Sequence, residues 1–292
     1  MNILYVTSEA VPFCKTGGLA DVAGSLPQAL AANGDRVSVI LPLYERVKDK
    51  WGEQLHFEKW TFVRLAWRSV YCGLFSLERD GVTWYFVDNE TYFRRSELYG
   101  YYDDGERFGF FSRAVTELLK SLPQKPDVVH CNDWQSALVP IYIRDEAVRD
   151  DFYKGIRTVI TVHNIEYQGR YGSDSVDQLF GLNRGWYDDG TLRMDGDVNL
   201  MKGAMLMADA VTTVSSVCKA LGLDADDVSQ GIIEKLGSAQ QSLLALENTL
   251  TAMQTLVDQT DSILACAGVV SDDLNNIVKS GDLSGVQDAL NR

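Results

Sequence analysis

Three short stretches hold the residues best suited to chemistry. The first is Glu9-Ala10-Val11-Pro12-Phe13-Cys14-Lys15-Thr16-Gly17-Gly18-Leu19-Ala20-Asp21-Val22. Gly17 and Gly18 carry no Cβ, so another molecule can come close to their backbone. A helical apolar run starts directly after them, and a helix N-terminus offers free N–H groups and partial positive charge. Lys15 adds a mobile ammonium that could meet a diphosphate. The spacing fits neither a Walker A loop nor a GxGxxG fingerprint, so an anion-binding loop and a plain tight turn both stay open. The second stretch is His130-Cys131-Asn132-Asp133-Trp134-Gln135. Asp133 could cap the helix that follows, with Trp134 in the core. Alternatively the pair presents an indole face and polar groups to a sugar ring. The Cys, His and Asp here lack the spacing of a tetrahedral metal set, and no metal is expected. The third stretch, Thr161 to Gly169, sets His163 and Asn164 directly after an apolar run. A fourth, Tyr99–Asp104, is aromatic and acidic, and could stack on sugar or simply pack.

Such residues act together only if the chain gathers them, and the apolar pattern says that it does. Ile3–Thr7 reads as a strand buried on both faces. Leu19–Ala32 has helical spacing, with a kink expected at Pro27 and a stop at Asn33-Gly34. Val37–Leu41 is a second strand. Phe57–Leu77, then Val82, Trp84 and Phe86 after the Asp80-Gly81 turn, predict an antiparallel hairpin insertion. Arg107–Leu119 is helix, Asp127–His130 strand, Trp134–Ile143 helix, Thr158–Val162 strand, Leu200–Ala208 helix and Ala210–Val214 strand. This alternation predicts an α/β fold, a Rossmann-like, doubly wound parallel sheet with helices on both faces. All three stretches then follow strands, so they share the carboxyl rim where such sheets bind ligands, and a cleft lined by a cation, a histidine, acids and aromatics is expected.

Composition divides the chain. The whole carries 27 Lys+Arg against 41 Asp+Glu, a net charge of −14. A bulk acidic balance argues against electrostatic binding of nucleic acid. From Val217 to Arg292 there is no aromatic residue, Pro or His, and 4 basic against 11 acidic residues give −7, which leaves −7 for the remainder. A domain boundary is therefore expected near Ser216, with residues 1–216 and 217–292 as separate parts. In the second part Ile232, Leu236, Ala239, Leu243, Leu246, Leu250, Met253 and Val257 step by four and three, and Leu264 resumes the series. This predicts an all-helical appendage, either packed as a hairpin or self-associating through the Ile232–Leu264 stripe. Five scattered cysteines fit a reducing compartment rather than a disulfide scaffold. The first residues read as a strand and not a signal peptide, and no apolar run is long enough to span a membrane. A cytoplasmic location is expected.

Lys15-Thr16-Gly17-Gly18-Leu19-Ala20-Asp21-Val22 resembles the signature of bacterial glycogen synthases and plant starch synthases. Pro42-Leu43-Tyr44, Asn132-Asp133-Trp134-Gln135, Val162-His163-Asn164 and Asp209-Ala210-Val211-Thr212-Thr213-Val214-Ser215 match in the same order, over residues 1 to about 215. The resemblance implies the N-terminal, acceptor-side half of a GT-B glycosyltransferase that moves glucose from ADP-glucose to the non-reducing end of an α-1,4-glucan, with retention and without a cofactor or metal. It implies Lys15, His163 and Asp133 as catalytic residues. Lys15 and the Gly17 and Gly18 backbone would meet the diphosphate or the transferred glucose. Asp21 would contact the nucleotide or order the loop, and Glu9 would face the acceptor. His163 would bond the donor glucose beside Asn164, and Asp133 with Trp134 would shape the glucan-facing wall. Ser216 stands where the family has a Pro, and the second domain's pattern does not follow it. That implies a truncation, a fusion or a fragment with an appendage, and weak transfer by this chain alone. The alternative is a non-catalytic glucan-binding or assembly module with a self-associating tail.

Overall fold

The computed structural model describes residues 1–214 and the single residue Lys279. The chain divides into two units, Met1–Ala225 and Asp226–Arg292, and the description concerns the first. The expected helical appendage and its Ile232–Leu264 stripe lie outside the described residues.

Strand β1 (Asn2–Val6) is followed by α1 (Gly18–Ala32), β2 (Arg36–Pro42) and the short α2 (Glu45–Trp51). Then come β3 (His56–Leu65), β4 (Arg68–Arg79), β5 (Val82–Asp88), the one-turn α3 (Glu90–Phe93) and α4 (Asp104–Leu118). Strand β6 (Val128–Asn132), α5 (Leu138–Ala147) and β7 (Arg157–Val162) complete the centre. Beyond it lie β8 (Arg170–Tyr171), α6 (Ser175–Gln178), α7 (Gly185–Asp188), β9 (Arg193–Met194), β10 (Asp197–Asn199), α8 (Leu200–Met207) and β11 (Ala210–Thr213).

Eight strands form one sheet in the order β11-β7-β6-β1-β2-β5-β4-β3. From β11 to β5 every pairing is parallel. The interior of these strands is apolar almost throughout, as burial on both faces demands: β1 reads Ile3, Leu4, Tyr5, Val6, and β2 carries Val37, Val39, Ile40 and Leu41. The crossovers from β1 to β2 and from β6 to β7 run in opposite directions along the sheet, and the right-handed connection that governs such units sets α1 and α5 on opposite faces. Helices α4 and α8 pack beside α5. The doubly wound Rossmann-like architecture is therefore borne out for the described residues.

Two expectations need correction. The residues 57–86 region is not a separate insertion. Strand β5 pairs in parallel with β2, and β4 and β3 extend the same sheet antiparallel from it. The hairpin pattern was legible from the Asp80-Gly81 turn, where both residues have positive φ. The parallel partner was not, because a short apolar strand reads the same in either pairing. Second, the Trp134–Ile143 segment starts as a 3-10 turn, Trp134–Ser136, and only then becomes α5. Helix α1 runs unbroken through Pro27 and ends as expected at Asn33-Gly34, with φ +95° at Gly34.

Between β5 and α4 the Arg107 guanidinium is wholly buried. Arg107 is 0% exposed; its Nε donates to Tyr92 O at 2.7 Å and its Nη1 to Leu98 O at 3.2 Å and Asp104 Oδ1 at 2.5 Å. The guanidinium thereby ties the loop before α4 to α3. Arg107→Met would leave those carbonyls and Asp104 without their donor, and should lower the unfolding free energy by about 3 kcal/mol in urea denaturation. A change below about 1 kcal/mol would refute this tie.

Candidate functional site

The strand order reverses between β1 and β6: the chain goes from β1 outward to β2 and β5, then returns to lay β6 on the other side. A crevice opens at such a switch point, outside the carboxyl ends of the strands. The loops after β1, β6 and β7 are the three stretches singled out by residue type.

In the loop after β1, Glu9 is 3% exposed and its carboxylate accepts from the Thr16 hydroxyl at 2.7 Å and from the Thr16 N–H. A buried carboxylate thus fixes the turn that leads into the glycine pair. A Cβ at Gly18 would meet nothing within 4 Å, and one at Gly17 only Glu9 Oε1 at 3.8 Å. The fold itself does not require these glycines sterically; they leave open surface at the start of α1. No side chain caps that helix. Gly24 is different, since its Cβ would lie 2.7 Å from Val11 O. That close approach seats α1 against the loop.

Lys15 Nζ forms a forked ion pair with Asp21 at 2.7 and 2.6 Å, and both side chains are more than half exposed. Asp21 thereby holds the Lys15 ammonium at the start of α1. An exposed pair of this kind is worth only about 0–1 kcal/mol, so Lys15 can be drawn off by a stronger anion.

Asp133 directly follows β6 with φ +55°, a conformation that is costly for a residue with a Cβ. It makes no side-chain cap to the turn that follows. Instead its Oδ1 reaches the neighbouring loop and accepts from the N–H groups of His163 at 2.7 Å and Asn164 at 3.3 Å. Burial pushes the Asp133 carboxyl up to about 6; the two amide bonds oppose that rise and the charge of Glu9 adds to it. Desolvation prevails because the group is largely removed from water. His163 Nε2 lies 2.9 Å from Asn132 Oδ1, and burial lowers the imidazole to about 4, so it is neutral at pH 7. The exposed Asn164 accepts with its Oδ1 from the Glu166 N–H at 2.9 Å.

Trp134 is 9% exposed, edge-on to Phe108 at 5.3 Å and close to Tyr171 at 6.2 Å. It supports the rim from within the core. Gly169 lies against it with φ +64°; a Cβ there would sit 2.8 Å from the indole. In the Tyr99–Asp104 loop, Tyr99 OH is 2.6 Å from Ser8 Oγ, Tyr101 stacks on Arg107 at 4.9 Å, and only Tyr102 is fully exposed. The loop is mostly packed.

Asp133, His163 and Asn164 thus form one hydrogen-bonded cluster, while Lys15, Gly17, Gly18 and Asp21 stand together with Glu9. The link between the groups is the charge of Glu9 felt at Asp133. Sequence reasoning missed Tyr5, Thr16 and Gly24, and gave Asn132 no role although it adjoins Asp133. Among the described residues no group of three or more His, Cys, Asp or Glu could hold a metal ion, and no helix is long and apolar enough to cross a membrane.

The fold is that of a Rossmann-like α/β domain whose three singled-out loops follow β1, β6 and β7 at the carboxyl ends of the parallel strands. Residues 2–220 match the family model described as the starch synthase catalytic domain, and the chain belongs to that family. It is 46% identical over 215 residues to a glycogen synthase of Lactobacillus acidophilus, covering 74% of this chain and 45% of that protein. A glycogen synthase of Clostridium botulinum is 47% identical over 216 residues with the same coverage. The solved catalytic domain of starch synthase IV from Arabidopsis thaliana, bound to ADP and acarbose, superposes with a TM-score of 0.66 at 29% identity, over 73% of this chain and 44% of that one. The chain spans about 45% of the length of the curated relatives it matches.

Two outcomes follow from the site geometry. Gly169→Ala combines positive φ with contact on Trp134, and should destabilise the domain by roughly 1–3 kcal/mol in thermal or urea denaturation. The amide resonances of His163 and Asn164 should follow the protonation of Asp133 with a midpoint near pH 6, and Asp133→Asn should abolish that transition. A midpoint near pH 4 would show that the amide bonds outweigh burial.

Proposed function

We propose that residues 1–214 form one wall of a glucosyltransferase crevice that takes ADP-glucose as donor and an α-1,4-glucan such as glycogen as acceptor. The observation that carries this reading is the convergence of the β1, β6 and β7 loops at the switch point. The β1 loop carries a lysine held only by an exposed ion pair and leads into an uncapped helix N-terminus, and the β7 loop carries a neutral imidazole. Departure of the nucleoside diphosphate leaves negative charge on phosphate and positive charge on the sugar. Lys15, released from Asp21, and the N–H groups at the start of α1 suit the phosphate charge, which grows in the transition state. His163 and Asn164, aligned by Asp133, suit the donor sugar's hydroxyls. Glu9 shapes this wall from beneath, through Thr16.

Retention through a covalent intermediate would need a carboxylate free to attack the anomeric carbon. Glu9 and Asp133, the buried carboxylates here, are both engaged by N–H or hydroxyl donors. Their engagement supports attack from the same face as the leaving phosphate.

Calorimetric titration of the 292-residue polypeptide with ADP-glucose, UDP-glucose and maltohexaose tests the proposal. ADP-glucose should bind, and Lys15→Ala should weaken it about tenfold, near 1.4 kcal/mol, while leaving maltohexaose unchanged. Equal binding by wild type and Lys15→Ala would remove the diphosphate role. Absence of binding to every ligand at millimolar concentration would end the proposal.

A further inference from the structure

His163 is held from two sides. Its backbone N–H is taken by Asp133, and its ring by Asn132. We propose that Asn132 is a positioning residue that locks the His163 ring as the Nε2–H tautomer, and so leaves Nδ1 as an acceptor for a hydroxyl of the sugar bound at this rim. The sugar clause rests on the function proposed above; the tautomer does not.

The orientation of the Asn132 amide decides the matter. Its Nδ2 donates to Val6 O at 3.0 Å and to His130 O at 3.4 Å. Both partners are backbone carbonyls, which can only accept, so the amide cannot turn over without opposing oxygen to oxygen. Its Oδ1 therefore faces the other way, where it receives Tyr5 OH at 2.9 Å and stands 2.9 Å from His163 Nε2. An amide oxygen only accepts, so Nε2 must carry the hydrogen. Asn132 is 0% exposed, and an unmet oxygen there would cost free energy, which makes the arrangement a constraint. No described residue bonds to Nδ1. In a neutral ring with Nε2–H, that nitrogen carries a lone pair and accepts.

The titratable groups at this ring are Asp133, which holds the His163 N–H, Tyr5, which shares the Asn132 oxygen with it, and His130 on β6. Burial lowers both imidazoles to about 4, and for His130 the nearby His163 ring adds to the fall. A neutral acceptor also suits the chemistry: it orients a hydroxyl without placing a cation beside a sugar carbon that becomes positive.

Long-range 1H–15N spectra of the full 292-residue chain at pH 7 read the tautomer directly, with His163 assigned by His163→Gln. The expected pattern is a protonated Nε2 and a bare Nδ1; a protonated Nδ1 overturns the proposal in the wild type, before any variant is made. Asn132→Asp sets a carboxylate beside Nε2 and should raise the His163 midpoint by at least tenfold in proton affinity; an unchanged midpoint in a folded variant also overturns it. Added ADP-glucose should shift Nδ1, and ADP alone should not. If the tautomer and the Asn132→Asp response are as expected but the sugar moves nothing, the sugar contact fails and the positioning role stands.

Discussion

The rim depends on one carboxylate. Asp133 directly follows the strand beside β1, in a backbone conformation that a residue with a Cβ adopts at a cost, and spends its Oδ1 on two amides of the next loop. That bridge joins the loop after β6 to the loop after β7, beside the contact between the Asn132 amide and the His163 ring. With it, the position of His163 is tied to the strand that flanks the switch point. A carboxylate placed there is removed from water, and this is why it resists ionisation although two N–H groups favour the charge.

A second buried carboxylate organises the opposite lip. Glu9 anchors Thr16, and Thr16 leads into the glycine pair. Both lips are therefore shaped by acids that face inward to donors of the protein, while the cation of the site, Lys15, faces outward on a weak and exposed pair. The chain's net charge is −14, yet the two buried acids of these loops, Glu9 and Asp133, are each occupied by donors of the protein.

Asn132 shows how little of such a site is a matter of residue type. It touches Tyr5 of β1, Val6 of β1 and His163 of the β7 loop at once. Those residues are more than a hundred positions apart in one case and about thirty in the other. No local pattern marks it, and its neighbour Asp133 attracts attention first. Trp134 is the converse: an aromatic in a polar motif looks like a ligand platform, yet it is packed between Phe108 and Tyr171.

Local physics determined a good part of this protein. Continuous apolar runs required strands buried on both faces, the 3.6-residue spacing after Gly18 required a helix, and Asn33-Gly34 and Asp80-Gly81 required stops and turns. From their alternation the parallel sheet and its carboxyl edge followed, and with them the neighbourhood of Asp133 and His163. The tertiary structure decided the rest: that β5 joins β2, that Asp133 bridges loops and caps no helix, and that Asn132 sets the histidine's tautomer. Periodicity reports which face of an element is buried, and it does so without naming the partner. Hydrogen bonds between residues far apart in the chain depend on that partner, on ångström distances and on the loss of water around them, and these exist only once the sheet has closed.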